Sequence, residues 1–289
     1  RFNVDGTDFF ETHLAFNKAV DRARKGKGPS LIVSDVVRLF PHSSSDDQRK
    51  YRSEEELELD RHRDPIQKFE KYCLDTTVFH EKELKKLMDE VKLQVDSDAE
   101  WAEMQPNPNS DDKLKNVFTQ TNNVSIPESN GYVGDNIVLV DAINHALDEE
   151  LAFNEKMIIF GQDVAHGKGG VFTATRGLTD KFGKNRVFNS PLAESSIIGT
   201  AIGMATLGYK PVVEIQFGDY IWYGMMQIRN EMATMRYRSN GKWSCPFVIR
   251  VPVGGYIHGS ICHSQSIDGY FTHLPGIYIA YPSNAADAK

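Results

Sequence analysis

Cysteine is scarce and unpatterned in this chain. Only Cys73, Cys245 and Cys262 occur among 289 residues, an odd number with no CxxC spacing. That excludes a disulfide scaffold and a cysteine-rich zinc site, and it points to a reducing compartment with buried, inert thiols. Positive charge is not in excess either: 33 Lys and Arg stand against 40 Asp and Glu, for a net charge of −7. No basic footprint for nucleic acid results. No apolar run is as long as a membrane span, the first residues carry no signal-peptide pattern, and no internal repeat is present.

With 40% hydrophobic and 25% charged residues, the composition is globular and the length suffices for two domains. Asp8 is placed to cap a helix from Phe9 to about Lys25, with Leu14, Ala15, Ala19 and Ala23 as its apolar stripe and Gly26 and Gly28 ending it. Leu31-Ile32-Val33 with Val36-Val37 reads as a buried parallel strand. The chain then turns abruptly polar at His42-Ser43-Ser44-Ser45-Asp46-Asp47, and open α/β sheets place ligands in loops of this kind. A helix starting at Asp64-Pro65 should turn Ile66, Phe69, Tyr72 and Cys73 inward. From Thr77 to about Met104 a long charged helix carries Leu84, Leu87, Met88, Val91 and Val95 on one side, as a packing arm or as a solvated helix. Residues 105–134, rich in Pro, Asn, Ser and Gly, read as a linker.

Beyond the linker, helices and short apolar strands alternate, which predicts a mostly parallel sheet with helices on both faces. Expected helices cover Ile137–Phe153, the region around Thr175–Phe182, Ser195–Leu207 and Phe217–Tyr237. Expected strands are Lys156–Phe160, the vicinity of Val187, Pro211–Ile215, Phe247–Val251 and Ile277–Tyr281. Pro191-Leu192-Ala193-Glu194-Ser195-Ser196 lies where a strand hands over to the apolar helix at 195–207. Glu194 therefore sits at a helix N-terminus, either as a dipole-stabilised cap or as a carboxyl in an apolar sleeve available for proton transfer. His263, read alone, is more often a satisfied loop histidine, and the aromatic run Phe217, Tyr220, Trp222 and Tyr223 otherwise reads as helix core, for at least two of its members.

Residues 135–289, through FGQDVA, RGLTDKFG, PLAES and HSQS, resemble the pyrimidine-binding domain of the β chain of thiamine diphosphate-dependent 2-oxo-acid dehydrogenases. Residues 1–75, through VDG, VRLFPHSSSDD and YRSEEEL, resemble the end of the α chain of the same enzymes. The order matches fused single-chain members. Residues 76–134, a helical arm and polar linker, lie outside both resemblances. The fold implied is α/β, a mostly parallel sheet flanked by helices at 135–289, preceded by the end of a similar diphosphate-binding domain.

The resemblance implies that Glu194 is the carboxyl that protonates the cofactor's pyrimidine ring and that His263 serves the reductive acylation of a lipoyl arm. It places Leu192 against the pyrimidine, Gln216 near the cofactor and Tyr220 stacked on the ring. It assigns Arg38 and His42 to the diphosphate end, with His42 also meeting the substrate carboxylate. Ser43 matches a serine whose phosphorylation switches off mitochondrial relatives. The cofactors implied are thiamine diphosphate and Mg2+, whose ligands are expected outside these residues because the Gly-Asp-Gly motif is absent; neither Asp5-Gly6 nor Gly134-Asp135-Asn136 matches it. Gln162 stands where many relatives have Glu, which places an inter-site proton relay in doubt.

The implied activity is oxidative decarboxylation of a 2-oxo acid, branched-chain rather than pyruvate, within a larger fused protein. Residues 1–289 alone, without a β-type C-terminal domain, are expected to be inactive. The partners implied are a lipoyl-bearing acyltransferase and a second fused chain in a homodimer, in the cytoplasm or the mitochondrial matrix, with no nucleic acid and no membrane. Transketolase-like ketol transfer and a scaffold module that has lost catalysis are the alternatives.

Overall fold

The computed structural model describes residues 1–119 and 135–289, so the part of the expected linker at 120–134 lies outside the described residues. The chain divides into two units, Arg1–Asn107 and Pro108–Lys289, and each is taken by itself.

The first unit opens with a strand that the hydropathy pattern does not announce, β1 (Phe2–Asp5), followed by helix α1 (Phe9–Arg24) and strand β2 (Ile32–Asp35). β1 and β2 pair in parallel, Phe2 opposite Ile32 and Asp5 opposite Asp35. The Asp8 carboxylate accepts the Glu11 N–H at 2.9 Å, as the N-cap pattern predicts. β2 is parallel but not buried: Leu31 and Val36 are exposed, because only β1 flanks it. Within α1, Ala15 is the one fully buried residue, and Leu14 faces solvent.

Helices α2 (Glu54–His62), α3 (Pro65–Asp75) and α4 (Glu81–Glu103) complete the unit. Ser53 and Glu56 close a reciprocal capping box on α2, and Asp64 caps α3 with Pro65 in its first turn. Of the expected inner face of α3, Cys73 is buried and Ile66 is exposed. Phe69 and Tyr72 instead join Phe9 and Phe10 in a ring cluster with centroid separations of 4.6 Å for the Phe9–Phe69 and Phe10–Tyr72 pairs. α4 has no buried residue along its length. Asp5 ties β1 to the junction of α2 and α3: Thr7 donates to it through both N and Oγ1 at 2.9 and 2.7 Å, with Arg63 and Lys68 alongside.

The second unit holds a four-stranded sheet flanked by helices: α5 (Leu139–Phe153), β3 (Met157–Gly161), α6 (Leu178–Phe182), β4 (Val187–Asn189), α7 (Glu194–Thr206), β5 (Lys210–Glu214) and β6 (Val248–Arg250). The strand order is β4-β3-β5-β6, and every pairing is parallel. All five residues of β3 are buried, as a central parallel strand requires. Successive side chains of a strand point to opposite faces. Ile158 and Phe160 accordingly pack with Ile197, Ile198 and Ala201 of α7, while Met157 and Ile159 pack with Leu151 of α5 and Leu178 of α6. The two-faced α/β layering predicted from alternation is thus built around one strand.

Two expected elements differ. Residues 217–237 do not form one helix: a tight 3-10 segment at Gly218–Gly224 runs into a wide turn at Gln227–Met232, closed by Ala233 N–H to Ile228 O, and a short α8 (Met235–Arg238) follows. Close packing is the reason. A Cβ on Gly224 would lie 2.9 Å from Ile198 Cγ1, so the segment presses against α7 and its winding adjusts to keep Ile221 and Ile228 buried. Among the described residues, 277–281 pair with no strand and β6 bonds only β5, and Tyr278 and Tyr281 remain exposed. No helix among the described residues is long and apolar enough to cross a membrane.

Two measurements check this account. Gly161 has φ +154°, and a Cβ there would fall 2.4 Å from the Glu214 carbonyl oxygen. Gly161→Ala is expected to destabilise the second unit by about 3 kcal/mol, read as a lowered urea midpoint. In the first unit, hydrogen bonds from Thr7 hold the Asp5 carboxyl down at about 2 from its usual 3.8. A depressed carboxyl contributes stability that is present above the unfolded value and is lost as pH falls through the folded one. The urea midpoint of the β1 amide signals should therefore fall between pH 4 and pH 2, and Asp5→Asn should flatten that dependence.

Candidate functional site

Parallel strands bring their C-terminal ends to one edge of a sheet, and ligands in open α/β sheets gather there. In the second unit each strand delivers one part of the cluster at that edge. Gln162 and Asp163 follow β3, Glu194 follows β4, Gln216 and Phe217 follow β5, and His263 lies in the loop after β6.

Glu194 is the first residue of α7 and is half-buried. Its own side chain does not cap the helix. Its Oε1 accepts a hydrogen bond from Gln162 Nε2 at 2.9 Å, and no hydrogen bond to Oε2 occurs among the described residues. Gln162 is only 2% exposed, so the amide is a fixed donor. The apolar sleeve expected around Glu194 is one-sided: Ile197 and Ile198 are buried beneath it, whereas Leu192 is 81% exposed. Ser195 Oγ donates to the Tyr223 carbonyl, tying the first turn of α7 to the 3-10 segment.

Asp163 stands beside Gln162 in a left-handed backbone conformation, φ 61°. It accepts from Gln216 Nε2 at 2.8 Å and from Lys168 Nζ at 2.6 Å, while its carbonyl receives the Gly170 N–H. Gln216 is thereby oriented through a residue that pattern reading does not single out. Asn189, at the end of β4, accepts the Ala165 N–H and fixes the loop from the other side.

His263 and Tyr220 form a pair. The Tyr220 hydroxyl lies 2.8 Å from His263 Nε2, and His263 Nδ1 lies 3.2 Å from the Gly259 carbonyl oxygen. A carbonyl can only accept, so Nδ1 carries a hydrogen, and in the neutral ring Nε2 then accepts from Tyr220. Phe217 packs edge-on against both rings, at 4.6 Å from His263 and 5.9 Å from Tyr220. Of the aromatic run, Trp222 and Tyr220 pack against the core and Tyr223 is exposed.

Beneath the cluster, Glu214 is 2% exposed and is paired with Arg250, whose Nε lies 2.9 Å away. It gives the site a buried, compensated charge pair that composition alone does not reveal.

In the first unit, Arg38 donates through Nη2 to the Tyr51 hydroxyl at 2.8 Å, and Tyr51 donates to Asp46 Oδ2 at 2.6 Å. The His42 backbone N–H reaches the same Asp46 oxygen at 2.9 Å. The Tyr51 hydroxyl, then that N–H, hold the Asp46 carboxyl below its ordinary range. The Arg38 and His42 side chains are exposed, and Asp46 and Tyr51 order the loop around them. Among the described residues no three His, Cys, Asp or Glu side chains come together to hold a metal ion.

Residues 135–289 match the family model described as transketolase, pyrimidine binding domain, and residues 1–111 match the dehydrogenase E1 component. A 2-oxoisovalerate dehydrogenase subunit beta of Bacillus subtilis is 49% identical over 52% of this chain and 46% of its own length. A pyruvate dehydrogenase E1 component subunit beta of the same organism is 44% identical over 53% of this chain and 47% of its own. The chain thus spans about half the length of the curated relatives it matches. A solved split gene transketolase, an inactive beta4 tetramer, overlays with a TM-score of 0.40 at 23% identity, covering 53% of this chain and 46% of that one.

The thiols offer a check on the edge loop. All three cysteines are free, but they are not uniformly buried: Cys73 is, Cys245 is half-buried, and Cys262, next to His263, is exposed. Burial pushes the Cys245 thiol up to about 12, leaving a negligible thiolate fraction at pH 8. One thiol, Cys262, should react with a thiol reagent in the native protein, and the other two only on unfolding, as read by mass spectrometry.

Proposed function

The chain belongs to the transketolase pyrimidine binding domain family, and from that premise we propose that it is part of a thiamine diphosphate-dependent 2-oxo-acid dehydrogenase, the decarboxylating component. The observation that carries the reading is the Glu194 carboxyl at the sheet edge, with one oxygen held by Gln162 and the other without a partner among the described residues. The donor set fits the group. An aminopyrimidine ring needs a carboxyl to exchange a proton with a ring nitrogen, a neutral polar side chain nearby and an apolar face. Glu194, Gln216 and exposed Leu192 supply these types, with Tyr220 and Phe217 as flanking aromatic surface.

Thiamine diphosphate, when bound, supplies the electron sink that decarboxylation of a 2-oxo acid requires. The side chains have separate tasks. Glu194 holds or releases a proton at Oε2. Leu192 and Tyr220 bound the ring, and Asp163 keeps Gln216 oriented toward the site. His263, held through Nδ1 by the Gly259 carbonyl, presents Nε2 to Tyr220, and the Tyr220–His263 pair is placed to serve proton transfer during transfer to a lipoyl arm. Arg38 is suited to a diphosphate oxygen by its planar fork, and His42 to a substrate carboxylate. Mg2+ belongs with residues other than those described.

The substrate proposed is a branched-chain 2-oxo acid. The HSSSDD loop supports this, and so does the higher identity to the 2-oxoisovalerate enzyme of Bacillus subtilis than to its pyruvate counterpart. A lipoyl-bearing acyltransferase and a second copy of the fused chain are the proposed partners, in a reducing compartment.

The test is turnover by the full-length protein with thiamine diphosphate, Mg2+ and an artificial electron acceptor, with 2-oxoisovalerate and pyruvate in parallel. Oxidation of 2-oxoisovalerate at the higher kcat/KM is expected, with a loss of about 10²–10⁴-fold in Glu194→Ala. Faster pyruvate turnover would move the substrate assignment. No oxidation of either acid would overturn the dehydrogenase reading, and ketol transfer between sugar phosphates would replace it.

A further inference from the structure

Gln162 is buried, lies one residue beyond β3, and donates through Nε2 to Glu194 Oε1 at 2.9 Å. An amide and a carboxyl in that position would act differently on their partner. Two carboxyls in contact share one proton and titrate as a pair. The amide nitrogen keeps both its hydrogens throughout the working pH range, so it offers Glu194 a donor and nothing to exchange. With that donor in place, Oε1 is an acceptor whether the carboxyl is ionised or not. Any proton Glu194 carries is on Oε2.

Among the described residues the neighbouring groups are committed elsewhere. Ser195 Oγ is committed to the Tyr223 carbonyl, and the Asp163 carboxylate is committed to Gln216 and Lys168. Turning the amide over, so that its oxygen met Oε1, would set two oxygens against each other unless the proton moved to Oε1. The donor arrangement is the one that suits a carboxylate. The left-handed φ of Asp163 lets consecutive residues serve opposite directions, Gln162 holding Glu194 and Asp163 holding Gln216.

Resting on the function proposed above, we propose that Gln162 is a positioning residue that confines the Glu194 proton to Oε2, the oxygen offered to the bound aminopyrimidine. Glu194 then exchanges protons with its ligand and with no other side chain of its own domain.

The experiment begins without activity. In full-length protein labelled with 15N at glutamine side chains, one Nε2 hydrogen of Gln162 should exchange with solvent at least about tenfold more slowly than the other, in line with a hydrogen bond to a charged acceptor. Glu194→Ala should abolish that difference. Thiamine diphosphate should leave it intact, because the ligand engages the opposite oxygen. A second arm reads the pH profile of kcat. Gln162→Glu, nearly the same size, should add one ionisation to the acid limb, since two acids would then share the proton. Gln162→Leu should add none and lower kcat by about tenfold with KM for the 2-oxo acid unchanged.

Equal exchange of the two hydrogens, or no response to Glu194→Ala, overturns the proposal. So does a Gln162→Glu profile superimposable on that of the wild type. Protection as expected with no binding of thiamine diphosphate leaves the Gln162–Glu194 bond standing and overturns the functional reading, with the ligand-directed part of this proposal falling with it.

Discussion

The architecture around the site depends on how closely β3 and β5 meet at the C-terminal end of their pairing. At Gly161 a side chain would occupy the space of the Glu214 carbonyl oxygen, and the backbone there has a conformation that L side chains rarely adopt. Because Gly161 pairs with Asn189 on one side and Glu214 on the other, β3, β4 and β5 end level with one another. Ser190 N–H closes on the Gly161 carbonyl at 2.8 Å immediately above that level. Gln162 and Gln216 therefore follow strand ends that lie level, and Glu194 comes after the turn that opens α7. There Gln162 meets Glu194, and Gln216 meets Asp163.

Two of the carboxylates at the site have contrasting partners. Glu214, deep in the sheet, is matched by the Arg250 guanidinium, and the approach of Gly170 and the Val171 N–H surrounds it further. Removing the Glu214 carboxylate would strand a half-buried cation. Glu194 is matched by an amide. An amide can satisfy a carboxylate and tolerate a carboxylic acid without leaving a charge uncompensated. The two carboxylates thus differ by their partners, a cation for Glu214 and an amide for Glu194.

Much of this was legible in the chain. The strand–turn–helix transition at 187–207, the fully apolar β3 and the cap at Asp8 follow from local rules, and each is present within one or two residues of its expected bounds. What local rules miss are contacts between distant segments. The winding of 217–238 is set by Gly224 meeting Ile198, and the exposure of β2 by its having a single neighbour. β1 has only four residues and no alternation to announce it, and residues 277–281 have strand composition without a strand to pair with. Around the site, Glu194, Gln216 and His263 could be named from motifs. Asp163 could not, because its role comes from a left-handed φ and two partners, one of them 53 residues away.

The two units also rest on different forces. The second has apolar clusters on both faces of β3, so its architecture follows from burial. The first buries few apolar side chains, Ala15, Leu57 and Cys73 among them, and its order is carried by termini and charges. Caps at Asp8, Ser53 and Asp64 are each worth about 1 kcal/mol. Arg63 bridges Asp5 and Asp35, the paired C-terminal residues of β1 and β2. Such contacts fix direction more than they add stability, since exposed ion pairs contribute little. The same economy governs its polar loop, where Tyr51 links Arg38 to Asp46 and the His42 backbone joins them. A loop ordered by a few hydrogen bonds can exchange them for those of an anionic ligand at small cost, an exchange that a loop set in a packed core would resist.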